Sequence, residues 1–292
     1  MRIRGNMTKT LSLLAALAIA VAIGVGSAGA ITDGQPDGNG HPYVGLMVAQ
    51  DSGGNPLWRC SGTLLSSTVY LTAGHCTEAP AAHAEIWFAS HIDTDTHYVA
   101  KSAGGTGCDN AAVTGYPCHG DVGGTPQTHP DYDPDRFFVR DLGVVTLSSS
   151  HPSSNGVYGV LPEENQLDAL KTQRGKQDVT FTAVGYGLQA SFPTAAAWKN
   201  QADKTRMVAH PKLNQINSPG FTGDFSLLLS NNHSTGGTCF GDSGGPNFIG
   251  DSNVLAGVTS YGLNGNCAGT GGVYRLDRSW NLDWLSDEFG IN

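Results

Sequence analysis

Gly241-Asp242-Ser243-Gly244-Gly245-Pro246 is the stretch with the most chemical content. A serine hydroxyl attacks a carbonyl only when a base takes its proton and something receives the oxyanion that forms. Glycines on both sides permit a tight turn and leave backbone N–H groups to point at a reacting group. An acid directly before the serine can fix such a loop by pairing with a buried cation. For a bare G-x-S-x-G, a plain turn between strands is the commoner reading, so a base and an orienting acid must be sought elsewhere. Thr72-Ala73-Gly74-His75-Cys76 offers an imidazole, which takes and returns protons near neutrality, although a histidine beside a cysteine is more often structural. Arg140-Asp141-Leu142-Gly143-Val144-Val145 puts an aspartate at the entry of an apolar run. It is either a strand-edge surface acid or a buried carboxylate, and a buried one must find partners or cost several kcal/mol.

The elements that must carry these groups read as strands. Residues 43–49 and 57–65 form two β runs joined by a turn-rich 51–56, and 85–89 and 178–184 are two more. Gly, Asn, Asp and Pro punctuate the chain throughout. Only 278–289, with Trp280, Leu282, Trp284 and Leu285 as its apolar positions, reads as a helix. That pattern favours an all-β barrel or sandwich.

The first ten residues carry Arg2, Arg4 and Lys9 and no acid; an apolar run over 11–25 and then Ser27-Ala28-Gly29-Ala30 follow. Basic, apolar and small-residue segments in that order make a secretory signal peptide, with cleavage expected after Ala30. Its removal leaves 262 residues and takes three of 16 basic side chains but none of the 25 acids, for a formal charge of −12. An acidic chain without basic clusters argues against nucleic acid or an anionic membrane as partner. Six cysteines in an exported chain suggest three disulfides, for which sequence alone permits 15 connectivities. No paired C-x-x-C spacing points to zinc. Asp131, Asp133 and Asp135 alternate in a way that invites calcium, but Pro134 interrupts them and neither the glycine nor the distal glutamate of an EF-hand follows. No metal or other cofactor is expected. Asn232-His233-Ser234 fits the N-glycosylation pattern, relevant only in a host that glycosylates. His83, His91, His97, His119 and His129 lie in polar, loop-like sequence and read as solvated surface.

GDSGGP, TAGHC and the D-L-G-V-V run together resemble the motifs of the chymotrypsin-like (trypsin-fold) serine proteases, and the order His75, Asp141, Ser243 is that family's order. The resemblance covers the chain from Ile31 to the final helix apart from a loop at 101–127. It implies two six-stranded antiparallel Greek-key barrels, a C-terminal helix and an active site in the cleft between the barrels. After the 1–30 signal, the first barrel is expected over 31–150, the second over 151–275 and the helix over 276–292. Carried over residue by residue, Ser243 is the nucleophile, His75 the general base and acid, and Asp141 the group that orients His75. The N–H groups of Gly241 and Ser243 form the oxyanion hole. A free amine on Ile31 pairs with Asp242, so that signal cleavage and activation become one event.

In the same resemblance Gly237 is the floor of the specificity pocket, Gly262 and Gly272 its walls, Thr238 one side, and Ser260 sits near Asp141 and offers backbone to substrate. Gly271 stands where the family usually has proline, and the loop before it is about one residue short. Glycines at these positions imply an uncharged slot for a large apolar or aromatic side chain, as in chymotrypsin; an elastase-like preference for small apolar residues is the runner-up. Gly185-Tyr186-Gly187 is similar to the family's G-W-G. Cys60–Cys76 and Cys239–Cys267 match family bridges, which leaves Cys108–Cys118 by subtraction. The implied protein is a secreted, monomeric serine endopeptidase acting through an acyl-enzyme. Its partners would be polypeptide substrates, with room for protein inhibitors. The reading from another class is a catalytically silent binding protein on the same fold.

Overall fold

The structure is a computed structural model that describes residues 31–92, 120–173, 178–189 and 204–292. The signal 1–30, both Cys108 and Cys118, His97, His119 and most of the 101–127 loop lie outside those residues.

The first unit is built from β2 (Val44–Gln50), β3 (Pro56–Leu64), β4 (Val69–Thr72), β5 (His83–Trp87), β6 (Val122–Thr128) and β7 (Gly143–Leu147). They pair antiparallel in the order β2-β3-β4-β7-β6-β5, and β5 returns to β2 to close a barrel. β2 is buried on both faces. Met47 and Ala49 pack into the main core, while Leu46 and Val48 pack with Trp87 and Tyr186. β6 falls within the stretch expected to be loop, and it is a strand paired on both sides. Its Val-Gly-Gly-Thr-Pro sequence hides it because small residues are needed there: a Cβ on Gly124 would meet the Thr146 carbonyl and the Val145 side chain.

The second unit holds β8 (Phe181–Gly185), β9 (Met207–Ala209), β10 (Leu213–Ser218), β11 (Gly223–Asn231), β12 (Pro246–Ile249), β13 (Leu255–Gly262) and β14 (Gly269–Arg275). The N-terminal β1 (Gln35–Pro36) crosses over to join it, giving the order β1-β9-β8-β12-β13-β14-β11-β10. A second six-stranded barrel was expected; this sheet curls around a core of Phe181, Leu213, Ile216, Leu227 and Val273, and among the described residues its ends meet through the single bridge of Thr180 with Lys212. Across its seam Phe181 N–H reaches the Pro211 carbonyl and Leu213 N–H reaches Val179. Pro211 has no N–H with which to extend that pairing. The C-terminal α-helix, Ser279–Phe289, ends at Gly290 in the left-handed conformation, φ 67°.

A buried charge network ties the two units to the N-terminal segment. Arg206, fully buried, binds Asp37 at 2.8 Å and donates to the carbonyls of Val44, Phe88 and Gly38 and to the Tyr186 hydroxyl. Burial works against ionisation of Asp37, but His41 and Arg206 outweigh it and hold the carboxyl below its ordinary value. Removing one partner of such a pair strands the other charge in the interior. Asp37→Ala should therefore lower stability by about 3–5 kcal/mol in urea unfolding. A loss under about 1 kcal/mol would show the network to be dispensable.

Candidate active site

Strand register brings the first two groups together. β4 pairs antiparallel with β7 so that Thr72 faces Gly143. His75 lies three residues beyond Thr72 in the short helical turn Gly74–Thr77, and Asp141 lies two residues before Gly143. Both therefore leave the same end of adjacent strands. Asp141 has no exposed surface and is held from three directions. Its Oδ1 accepts the backbone N–H of His75 at 2.9 Å, its Oδ2 lies 2.9 Å from the His75 Nδ1, and the Ser260 hydroxyl donates to Oδ2 at 2.5 Å. Those contacts assign the proton to Nδ1 and make Nε2 the basic nitrogen of the neutral ring. Burial disfavours the imidazolium, and the Asp141 carboxylate more than offsets it, so His75 titrates above its ordinary value of 6.5.

The serine loop docks against that end of the barrel. Ser61 N–H donates to the Ser243 carbonyl at 2.8 Å, and its hydroxyl donates to the Gly241 carbonyl while accepting the Tyr186 N–H. A Cβ on Gly244 would strike Thr72 Oγ1 and Ala73 N, which places Ser243 and Gly244 beside the segment leading to His75. Gly241 has φ 96°, and a Cβ there would lie 3.0 Å from Arg59 Nε and 3.1 Å from the Gly187 Cα, so glycine is required on both counts. Ser61 was not singled out in the sequence. Its one signal was its place directly after Cys60, whose bridge to Cys76 lies under the His75 turn.

Asp242 is fully buried, with Gly187 N–H on Oδ1 at 2.7 Å and Cys239 N–H on Oδ2 at 2.9 Å. Gly185 and Gly187 both face this carboxylate, and a side chain on either would overlap it. Burial pushes its pKa up to about 7, against the two N–H donors and the more distant charge of Arg59. Ile31 is also fully buried, packed with Ala183, Met207 and Ala209. Thr32 bridges Gly237, whose N–H donates to the Thr32 carbonyl.

A cleft of about 420 Å³ opens beside Ser243, lined by Thr238, Phe240, Ser260, Tyr261 and Gly262 together with the Cys239–Cys267 bridge. Among the described residues, none that line it is charged. Of the residues expected around the pocket, Thr238, Ser260 and Gly262 line this cleft, and Gly237 and Gly272 do not. The side of Gly237 that a Cβ would occupy is filled by Asn231, which also accepts from Thr32 and donates to the Thr238 carbonyl. Gly272 pairs with Tyr261, so both face the same way and the Tyr261 ring covers the glycine. It is Gly271 whose open side faces Thr238, at 3.0 Å. Among the histidines read as surface, His129 is buried. Its ring lies tilted against Trp284, centroids 4.9 Å apart, and its Nδ1 accepts the Asp131 N–H, contacts that a polar local sequence does not announce. His83 and His91 are half-buried, bonded to Glu85 and Thr205. Cys60, His75 and Cys76 lie close enough to resemble a metal cluster, but both cysteines are committed to their disulfide.

The family model described as Trypsin matches residues 32–281. The chain belongs to the trypsin family. Curated relatives of this trypsin-family chain include Serine protease 1 of Drosophila melanogaster, 25% identical over 267 residues that cover 90% of this chain and 87% of the relative. Another is Chymotrypsin of Phaedon cochleariae, 26% identical over 249 residues that cover 84% and 76% of the two chains. Among solved structures, HL collagenase superposes with TM-score 0.65 at 19% identity, over 90% of this chain and all of the other. HBP superposes with TM-score 0.59 at 15% identity, over 90% and 98%. These structures share the fold, and the family makes the protein a serine endopeptidase.

The raised His75 pKa gives a test of the geometry. A histidine whose pKa is raised on folding contributes stability that is fully present below its unfolded value of about 6.5 and fades as pH climbs through the folded value. Asp141→Asn should bring His75 down to 6.5 or lower in an NMR titration of its ring protons. The stability gap between wild type and variant should be widest below pH 6.5 and narrow above it. An unchanged His75 titration in the variant contradicts the assigned contact.

Proposed function

We propose that this trypsin-family peptidase works outside the cell and cleaves polypeptides after large apolar or aromatic residues through an acyl-enzyme. The observation that carries the reading is the run of contacts from Ser260 through buried Asp141 to His75, beside a serine loop and a cleft without charge. Ser243 attacks the carbonyl while His75 Nε2 takes its proton. The imidazolium so formed is stabilised by Asp141, and its proton passes to the departing amine. The oxyanion is received by the N–H groups of Gly241 and Ser243, where losing one donor costs about 2.7–4 kcal/mol of barrier. Water then repeats the sequence on the ester.

The specificity follows from the cleft. A P1 side chain (the residue before the scissile bond) meets Thr238, the backbone of Ser260 and Gly262, and the disulfide, none of which favours a charge. Beyond Tyr261 an aromatic ridge continues: Phe137, Phe138 and Phe221 lie 5.2–6.4 Å from one another or from the Tyr261 ring, and Phe137 and Phe221 are 40% and 51% exposed. That surface suits apolar residues further back along the substrate. Export is supported by the 1–30 segment and the disulfides. Among the described residues no helix is long and apolar enough to cross a membrane.

Short peptides ending in Phe, Leu, Ala or Arg before a reporter group decide the preference. Cleavage after Phe or Leu is expected, with Ser243→Ala reducing kcat roughly 10⁴–10⁶-fold, the scale on which serine triads fail when one member is removed. Cleavage confined to Arg keeps the mechanism and overturns the pocket reading. Turnover that survives Ser243→Ala overturns the mechanism.

We propose further that cleavage before Ile31 supplies Asp242 with a cationic partner. Asp242 has its pKa raised on folding, so without a partner its ionisation costs stability progressively as pH rises from about 4 through 7. A chain starting at Ile31 should show no such decline in its urea midpoint over that range, while a chain retaining residues before Ile31 should show it. Identical profiles for the two chains would remove the ion pair from the account.

A further inference from the structure

Arg140, directly before Asp141, stands in a conformation that its residue type does not favour. Its φ is 55°, in the left-handed region where a long L side chain is strained, and the Leu142 N–H closes a tight turn by donating to its carbonyl at 2.7 Å. That turn sets the direction in which Asp141 leaves the chain. The three donors to the Asp141 carboxylate fix its oxygens, but none of them holds the peptide ahead of it.

What does hold it comes from the other half of the molecule. The Arg140 guanidinium carbon lies 4.0 Å from the centroid of the Trp280 ring and 5.7 Å from that of Phe225. Trp280 sits in the first turn of the C-terminal helix and Phe225 on β11, whereas Asp141 leads into β7 of the closed barrel. The side chain is 20% exposed, its Nη1 is buried without a hydrogen-bond acceptor, and its nearest carboxylate, the largely exposed Asp131, is 4.0 Å from Nε. An exposed acid at that distance contributes little. Attraction between a cation and aromatic faces, stronger where water is excluded, therefore ties this side chain down together with the nearby Tyr274 hydroxyl.

We propose that Arg140 is a positioning residue for the peptidase reaction. Held against Trp280 and Phe225, it keeps the left-handed turn that aims Asp141 at His75, and so makes the C-terminal helix part of the alignment of the site. The inference rests on the proposed roles of His75 and Asp141, and it concerns orientation, since Arg140 touches neither substrate nor the reacting atoms.

The test compares Arg140→Met, which keeps the stem and loses the charge, with Trp280→Leu, which removes the aromatic face, in the secreted protein. Each should lower kcat about 10–100-fold with KM within about twofold, the scale of a small misplacement of a catalytic group. The double variant should be no worse than the poorer single one, because both remove the same tie. Arg140→Lys should recover most of the loss. A readout independent of turnover is the low-field proton resonance of the His75 Nδ1–H bonded to Asp141. It should persist in wild type and Arg140→Lys and shift or broaden in Arg140→Met and Trp280→Leu. Variants that melt earlier but keep both kcat and that resonance would falsify the proposal, leaving Arg140 a packing residue only. If Arg140→Met does not fold, Trp280→Leu carries the comparison. A wild type that shows the resonance without hydrolysing any peptide would count against the peptidase reading, while the resonance in the variants still decides the role of Arg140.

Discussion

A carboxylate with no exposed surface is the constraint on which the rest of the site depends. Asp141 stays buried because a backbone N–H, an imidazole and a hydroxyl converge on it, and each is delivered by a different element. The His75 turn follows β4, Asp141 precedes β7, and Ser260 comes from β13 in the other unit. A shift of one residue in the β4–β7 register would turn Asp141 to the opposite face and leave its charge either in solvent or unpaired in the core. The closed barrel is thus more than a scaffold: closure sets the register that makes the burial of this one charge tolerable.

The serine side is held by a different logic. It is a loop, and loops are defined by what they lean on. Ser61 takes the carbonyls of Gly241 and Ser243 and also the N–H of Tyr186, so one side chain and its backbone register the serine loop, the Gly-Tyr-Gly turn and β3 against each other. Glycines appear wherever these backbones come closest. Gly185, Gly187, Gly241 and Gly244 each face an atom that a methyl group would displace, and their spacing follows from that crowding.

What could be read from the sequence follows the same division. Groups that do chemistry need particular residue types, so His75, Asp141 and Ser243 stood out in the chain, the family resemblance added Asp242 and the pairing of Cys60 with Cys76, and the structure brings these residues to one region. Surfaces that only need shape were less legible. Gly237 and Gly272 have the right residue type for a pocket wall, but Asn231 and the Tyr261 ring occupy their open sides. The pairing of Tyr261 with Gly272 decides this, and no local pattern records a cross-strand register. β6 escaped because its small residues answer to the strands on either side, and His129 because its partners, Trp280 and Trp284, lie some 150 residues away.

The two buried aspartates show how differently the halves of the site are finished. Asp141 meets an imidazole whose pKa it raises. Among the described residues Asp242 has two backbone N–H groups and the more distant Arg59, and burial outweighs them and carries its pKa to about 7. The backbone donors favour the carboxylate but do not make up for its burial. The histidine side therefore finds its charge partner within the fold, whereas on the serine side burial outweighs the partners of Asp242, which is what the proposed Ile31 amine would change. Ile31, fully buried, and Thr32, bridged to Gly237 a few residues ahead of Asp242, put the start of the described chain on the serine side of the molecule. A positive charge arriving there would act on the loop that carries Ser243 and leave the contact between His75 and Asp141 as it stands.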